Sequence, residues 1–190
     1  MKLGLFGGSF DPVHLGHLLV AQAAMEELAL ARLFFIPAAQ SPFKPERKPA
    51  PAPVRTQLLR LALAGKTNYE IDEQEIRRGG ISYTVETLRD YARRLPHAEL
   101  FYLIGADNAP KLNEWREANA LAKLAEFVAI PRPGGLAANF PPPFRGRTLK
   151  GFPLGVSSSE IRTRAKAGLP IDQFVPPAVA EAIRGAKLYV

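Results

Sequence analysis

The chain has 190 residues, with 25 Lys and Arg against 18 Asp and Glu, a formal net charge of +7 and no cysteine. The lack of cysteine excludes a disulfide framework, a thiolate zinc site and a cysteine nucleophile. No apolar run approaches the roughly 18 residues that a membrane span requires, and no signal peptide is visible, so we expect one compact domain over residues 1–190 in the cytoplasm. Excess positive charge suits polyanionic ligands, but the basic residues are scattered and by themselves support no particular partner.

Apolar segments alternate with helical patterns along the chain. Strands are predicted at Leu3–Phe6, Leu33–Pro37, Tyr69–Ile71, Leu100–Ile104 and Phe127–Ile130. Helices are predicted at His17–Leu28, Val54–Ala64, Thr84–Leu95, Trp115–Leu124, Ser159–Ala167 and Pro177–Arg184, with Gly168 and Gly185 placed as C-caps. The alternation favours an α/β fold with a parallel sheet, and the proline-rich segments 37–53 and 131–146 are predicted to be surface loops.

The turn after the first strand carries the most information. It reads GGSFDPVHLGH from Gly7 to His17. A glycine turn at a helix N-terminus presents free N–H groups and the positive end of the helix dipole, and it lets a phosphate approach the backbone closely. Two of the three histidines, His14 and His17, stand three residues apart and would share one face of the first helical turn. The pattern therefore predicts a phosphate site formed by the histidines and by Gly7, Gly8, Ser9 and Phe10. The glycines do not have the G-x-G-x-x-G spacing of redox dinucleotide sites.

Two later segments add polar groups at the same predicted edge of the sheet. Gly105 opens a second glycine turn, and Asp107 is either an N-cap or a group that holds a ribose hydroxyl or the metal that accompanies a nucleotide. Ser157 and Glu160 have the spacing of a capping box, which exposes backbone donors at another helix start. Capping does not account for Ser158 and Arg162, which we assign to a phosphate site.

The Gly7–His17 motif resembles the signature of the H-x-G-H nucleotidylyltransferase superfamily. Further segments occur in the order seen in bacterial nicotinate-nucleotide adenylyltransferases, and the resemblance covers nearly the whole chain. These segments are SPFK from Ser41, ISYTVETL from Ile81, IGADNAPKLNEW from Ile104, RPG from Arg132 and SSSEIR from Ser157. The chain departs from many relatives at Phe43, where they carry histidine, and at Ser159, where they carry threonine. The resemblance implies a doubly wound parallel sheet with the Rossmann-like nucleotidylyltransferase fold.

The resemblance also implies a reaction. ATP and nicotinate mononucleotide would give nicotinate adenine dinucleotide and pyrophosphate, with Mg²⁺ bound together with ATP. The attacking phosphate monoester has a second pKa of about 6, so it is largely dianionic at neutral pH and needs no general base. The candidate catalytic residues are His14, His17, Lys44 and Arg162. The candidate ATP-binding residues are Gly7, Gly8, Ser9, Phe10, His17, Gly105, Asp107, Ser158 and Arg162, and no protein metal ligand is predicted.

The pyridine half of the acceptor calls for other contacts. Trp115, the only tryptophan, lies in a polar segment, and in the resembled family this position stacks on the nicotinate ring; its alternative role is partial burial in the core. Tyr83 and Thr84 begin a predicted helix whose N–H groups suit the ring carboxylate. They would favour the acid over the amide, because an amide directs its own NH₂ at those donors.

Other functions remain open from the sequence. A pantetheine-phosphate adenylyltransferase or a cytidylyltransferase would share the first motif but lack the SYTVETL and GADN…W combination, and nicotinamide mononucleotide is the alternative acceptor. A tRNA synthetase fragment would need a K-M-S-K-S-like loop, which the chain lacks. In a nucleic-acid-binding or nucleotide-sensing module, the motif histidines would have no catalytic role. We therefore expect small-molecule partners, neither nucleic acid nor membrane, and leave the oligomeric state open.

Overall fold

A six-stranded, entirely parallel sheet forms the centre of the computed structural model, which describes residues 1–43, 48–135, 137–152 and 154–190. Its strand order is β3-β2-β1-β4-β5-β6. The strands are β1 (Lys2–Gly8), β2 (Arg32–Pro37), β3 (Tyr69–Ile71), β4 (Glu99–Gly105), β5 (Glu126–Ile130) and β6 (Gly146–Thr148). The predicted doubly wound, Rossmann-like sheet and its first five strands are thus confirmed.

Helices connect the strands and cover both faces of the sheet. They are α1 (Leu15–Glu27), α2 (Ala52–Leu63), α3 (Gln74–Arg78), α4 (Thr84–Arg94), α5 (Ala118–Leu124), α6 (Ser158–Lys166) and α7 (Pro177–Gly185), with a 3₁₀ helix at Ala106–Glu114. In the described part of the chain, none of these helices has the length and apolar character needed to cross a bilayer.

Alternating side chains of the strands divide the core into two layers. On β1, Leu3 and Leu5 point to one side, where they pack with Val85 and Leu88 of α4. Phe6 points to the other side and belongs to the layer that contains Leu58 and Leu59 of α2. Strands buried on both faces lack the polar alternation of a half-exposed sheet, which is why they read as continuous apolar runs.

Three predictions of local structure need correction. Trp115 does not begin a helix: it ends the 3₁₀ helix in an extended conformation, and α5 starts only after Glu117, which adopts a left-handed backbone with φ 54°. Gly168 has the positive φ expected after a helix end, whereas Gly185 is the last residue of α7 and Lys187 takes the left-handed position. The predicted loop 131–146 runs into the edge strand β6, whose three residues are too few to show periodicity.

The order of the strands indicates where a ligand-binding site lies. The chain runs outward from β1 through β2 to β3, then returns to β4 on the other side of β1 and continues to β5 and β6. The crevice beyond the carboxyl ends of β1 and β4 is therefore the point where ligands bind in such sheets. The Gly7–His17 motif follows β1, and the turn of Gly105 follows β4.

Candidate active site

Two adjoining clefts open at this edge of the sheet. The larger, of about 640 Å³, lies between the Gly7–His17 motif and the start of α6, and we call it the histidine cleft; it is lined by Ser9, Phe10, His14, His17, Arg132 and Ser157–Ser159 among others. The smaller, of about 160 Å³, is the tryptophan cleft, lined by Gly7, Gly8, Phe43, Thr84, Asn108 and Trp115 among others. Phe6, Ser9, Gly105 and Ile130 line both clefts, so two ligands bound in them would meet over the ends of β1 and β4.

The motif histidines form a stacked pair at the start of α1. Their ring centroids lie 3.7 Å apart, and the backbone N–H of His14 donates to Nδ1 of His17 at 3.2 Å. Gly16 makes room for this arrangement, because a Cβ there would lie 3.0 Å from the His14 ring. The prediction that both histidines share one face is confirmed.

This hydrogen bond determines which nitrogen of His17 can act on a ligand. Since Nδ1 accepts a hydrogen bond, the neutral ring carries its hydrogen on Nε2. Burial lowers the pKa of His17 well below its usual value, and the neighbouring His14 adds to that effect. Burial also lowers the pKa of His14 to about 4. Without a ligand, the pair is therefore neutral at pH 7 and offers N–H donors instead of full charges.

The glycines before the histidines accommodate neighbouring side chains. A Cβ at Gly7 would collide with the Tyr102 hydroxyl, and one at Gly8 would lie 3.1 Å from the ring of Phe10. Phe10 is buried in the core and has a φ of 47°, in the left-handed region that non-glycine residues seldom adopt. Packing against the side chains of Tyr102 and Phe10 is therefore a reason for glycine at both positions that does not depend on a ligand.

Arg55 of α2 supports this loop and is not among the residues predicted from the sequence. Its side chain is almost completely buried, yet its donors are satisfied by the carbonyl oxygens of Ser9 at 2.7 Å, Ala38 at 2.8 Å and Ala50 at 2.9 Å. One signal was present in the sequence. Arg55 occupies the first position of an i, i+3, i+4, i+7 stripe on α2 whose other members are Leu58, Leu59 and Ala62, all buried.

Asp11 is a second buried support of the loop. Its Oδ1 accepts hydrogen bonds from the Tyr189 hydroxyl at 2.8 Å and from the Ala50 N–H at 3.2 Å. Its backbone carbonyl accepts a hydrogen bond from Arg162 at 2.7 Å. Tyr189, the penultimate residue, carries no local signal of this role, because only the tertiary fold brings the end of the chain to Asp11.

The start of α6 contacts the same loop. Ser157 is the N-cap and accepts from the N–H of Glu160 at 3.1 Å, as the capping pattern predicts. The Ser158 hydroxyl donates to the carbonyl of Pro12 at 2.9 Å, and Arg162 donates to the Ser159 hydroxyl at 2.9 Å. Ser157, Ser158 and Ser159 line the histidine cleft, while the described contacts of Arg162 brace the loop. A contact of Arg162 with phosphate stays a prediction.

Two further candidates were expected near the nucleotide. Gly105 lies at the junction of the clefts and is itself the N-cap residue of the 3₁₀ helix, so Asp107 is not the N-cap. The exposed carboxylate of Asp107 pairs with Arg132, which lines the histidine cleft. Lys44 lies outside the described residues.

Aromatic side chains dominate the tryptophan cleft. Trp115 is half-buried, with its ring centroid 5.1 Å from that of Phe43 and 6.1 Å from that of Phe127. Its Nε1 is buried and has no partner among the described residues. The Thr84 hydroxyl lies 3.4 Å from that of Tyr102, at the start of α4. The structure thus brings the predicted residues Trp115 and Thr84 together, and Phe43 contributes to the same cleft.

A buried carboxyl holds the Ser82–Thr84 turn in place. Glu75 accepts a hydrogen bond from Thr87 at 2.5 Å and interacts with the Ser82 hydroxyl, which in turn accepts the Ala39 N–H at 2.9 Å. Burial raises the pKa of Glu75, against the opposing effect of these hydrogen bonds. The N–H of Ser82 donates to the backbone carbonyl of Gln40 at 2.9 Å and is therefore not available to a ligand. Any backbone donors for a ligand begin at Tyr83 or later.

The parallel sheet, the glycine loop and the histidine pair at the strand-order reversal define a nucleotidylyltransferase. Residues 5–164 match the model of the cytidylyltransferase-like family. A probable nicotinate-nucleotide adenylyltransferase of Thermus thermophilus is 42% identical over the whole of both chains. One from Opitutus terrae is 40% identical over 100% of this chain and 98% of the relative. The chain belongs to the nicotinate-nucleotide adenylyltransferase family.

Solved structures agree with the fold. A Plasmodium falciparum nicotinic acid mononucleotide adenylyltransferase complexed with NaAD superposes with a TM-score of 0.79 at 16% identity, covering 99% of this chain and 97% of that one. A putative nicotinate-nucleotide adenylyltransferase from Vibrio parahaemolyticus gives 0.73 at 19% identity, covering 99% and 94%.

The depressed pKa of His14 predicts how stability depends on pH. Above pH 6.5 the ring is neutral in both the folded and the unfolded chain, but between 6.5 and about 4 only the unfolded chain takes up the proton. Stability should therefore fall as the pH falls through this window, by about 3 kcal/mol for this group. Urea unfolding of the wild type and of His14→Asn at about pH 7 and about pH 4.5 measures it. Equal losses in both proteins would contradict the assignment.

Proposed function

We propose that the protein transfers the adenylyl group of ATP to nicotinate mononucleotide, releasing pyrophosphate and forming nicotinate adenine dinucleotide for NAD biosynthesis. The observation that carries this proposal is the pair of adjoining clefts. One is lined by the neutral histidine pair and the start of α6, and the other by Gly7, Gly8, Trp115 and the start of α4. A chain 42% identical over its full length is named for the same activity. The whole chain, residues 1–190, is proposed to act as one nucleotidylyltransferase domain.

The chemistry needs positioning and charge stabilisation more than proton transfer. The 5′-phosphate of nicotinate mononucleotide attacks the α-phosphorus of ATP, the new P–O bond forms, and the bond to pyrophosphate breaks. The protein would bind ATP and the acceptor phosphate with their reacting atoms in line, so that the reaction does not depend on a chance encounter of two anions in solution. The Nε2–H of His17 and the ring of His14 donate to the transferring phosphoryl group, where the developing charge makes each donor most effective.

The other nucleotide contacts are proposed on the same basis. Gly7, Gly8, Ser9 and Phe10 would offer backbone donors to ATP, Gly105 and Asp107 would face its nucleoside half, and Ser158 lies at a helix start that suits a phosphate. Lys44 and Arg162 are proposed to interact with the phosphates. We propose that Mg²⁺ enters as part of the substrate, bound by the phosphates of ATP. A reaction that consumes ATP fits the cytoplasmic location expected from the sequence.

A pyrophosphate-release assay tests the function directly. ATP is offered with a panel of phosphate monoesters: nicotinate mononucleotide, nicotinamide mononucleotide and pantetheine phosphate. We expect the highest kcat/KM with nicotinate mononucleotide. A higher value with either of the other acceptors would replace this proposal by the corresponding adenylyltransferase, and no release with any acceptor would overturn it.

Two substitutions separate the structural nitrogen of His17 from the reactive one. In His17→Asn the amide oxygen stands near the position of Nδ1 and can still accept the His14 N–H, whereas in His17→Gln the longer side chain keeps a donor near Nε2. We expect His17→Asn to lower kcat by at least about a hundredfold with little change in thermal unfolding, and His17→Gln to lose less. A near-normal kcat in His17→Asn would show that the ring serves only the helix start.

Thr84 offers a clean test of the backbone donor. It is the first residue of α4, where proline is tolerated, and Tyr83 has the extended backbone (φ −87°, ψ 123°) that precedes proline. Thr84→Pro removes the N–H, while Thr84→Val removes only the hydroxyl. We expect the acid-to-amide ratio of kcat/KM to fall about tenfold in Thr84→Pro and to stay within about twofold in Thr84→Val.

Trp115→Ala serves as the comparison, because ring stacking barely distinguishes acid from amide. It should weaken both acceptors by similar factors. An unchanged ratio in Thr84→Pro, together with a collapsed ratio in Trp115→Ala, would reverse the proposed division between these residues.

A further inference from the structure

The two acceptor molecules differ in charge where they scarcely differ in shape. Nicotinate carries a ring carboxylate, and nicotinamide carries a neutral amide of nearly the same size. A stacked ring cannot detect that charge. A backbone N–H donates more strongly to a carboxylate than to an amide carbonyl, but it can donate to either group, so it gives only part of the selectivity. A protein that selects by charge needs a cation near the ring substituent.

Arg116 supplies a cation in the required place. A cleft of about 440 Å³ continues outward from the tryptophan cleft, and the two share Pro42, Phe43, Thr84 and Trp115. Of the described residues that line these two spaces, Arg116 alone is positively charged, while Glu75 and Glu114 are acidic. The acidic groups disfavour a bound carboxylate, so a compensating positive charge matters more here than in a neutral pocket.

The present contacts of Arg116 hold it beside the start of α4 without fixing it there. Its guanidinium carbon lies 4.3 Å from the centroid of the Tyr83 ring, which orients the planar group. One nitrogen lies 3.6 Å from a carboxylate oxygen of Glu86, and about half of the Arg116 side chain is exposed. Such a long, exposed ion pair contributes little to stability. The carboxylate of a ligand can therefore take the place of Glu86 as the partner of Arg116.

We infer that Arg116 is a specificity-determining residue, whose guanidinium binds the ring carboxylate of the acceptor and selects it over the amide. This inference rests on the proposed function. The N–H of Thr84 gives part of the preference for the acid, and Arg116 adds a full positive charge that only the carboxylate can neutralise. A planar guanidinium fits a carboxylate with two parallel hydrogen bonds, which an amide cannot accept.

The test compares kcat/KM for nicotinate and nicotinamide mononucleotides in the wild type, Arg116→Gln and Arg116→Lys. In Arg116→Gln we expect at least about a tenfold loss with the acid and less than about a twofold change with the amide. Arg116→Lys should keep part of the preference, because it retains the charge but not the planar fork. Raising the ionic strength should increase KM for the acid more in the wild type than in Arg116→Gln.

Glu86→Gln is the matched control, because Arg116 also contacts Glu86. If Arg116 acted only by bracing α4 through this ion pair, removing Glu86 would lower the acid preference as Arg116→Gln does. We expect instead that Glu86→Gln keeps the preference or increases it. Equal losses with both acceptors in Arg116→Gln would overturn the inference while leaving the proposed function intact. A wild type that turns over neither acceptor would instead overturn the proposed function.

Discussion

A buried guanidinium holds together the three segments that form the floor of the site. Arg55 donates to carbonyl oxygens of Ser9, Ala38 and Ala50, so that the loop after β1, the end of β2 and the start of α2 share one anchor. Burying such a cation is costly unless its donors are satisfied, and here backbone carbonyls satisfy them while Asp11 lies close enough to interact. Because every one of these bonds needs the native fold, the loop has its shape only when the surrounding elements are in place.

The glycine loop is also held by hydrogen bonds from α6 and from Tyr189. The carboxylate of Asp11 accepts a hydrogen bond from the Tyr189 hydroxyl. The backbone carbonyl of Asp11 accepts a hydrogen bond from Arg162 of α6. The glycine loop is therefore enclosed from below by α2 and from the side by α6 and the chain end. A loop fixed in this way can present backbone donors to a phosphate without paying the entropy of ordering them at each turnover.

The chemistry of the two clefts follows from the different groups that the sheet edge brings to them. Histidines kept neutral by burial can approach each other to 3.7 Å, which two imidazolium ions would not do at so small a cost. Both rings line the histidine cleft, which is the proposed phosphate site. In the tryptophan cleft, Gly7 and Gly8 lie beside aromatic rings and the start of α4, which together form a surface that suits a flat heterocycle and its substituent. In the proposed reaction, ligands bound in the two clefts would meet over the ends of β1 and β4.

Local sequence predicted the first five strands, most helices and the principal motif, because these depend on hydrophobic periodicity and on residues close together in the chain. The shared face of His14 and His17, the N-cap at Ser157 and the helix start at Thr84 are short-range features, and the sequence predicted them. Only the tertiary structure decided that Arg55 and Tyr189 support the loop, that Asp107 pairs with Arg132, and that Arg116 joins Trp115 and Thr84 around one cleft. These contacts connect residues far apart in sequence, and single-residue patterns do not encode which distant elements will pack together. The sequence by itself therefore predicted which reaction to expect, whereas the fold decided which side chains surround the two clefts.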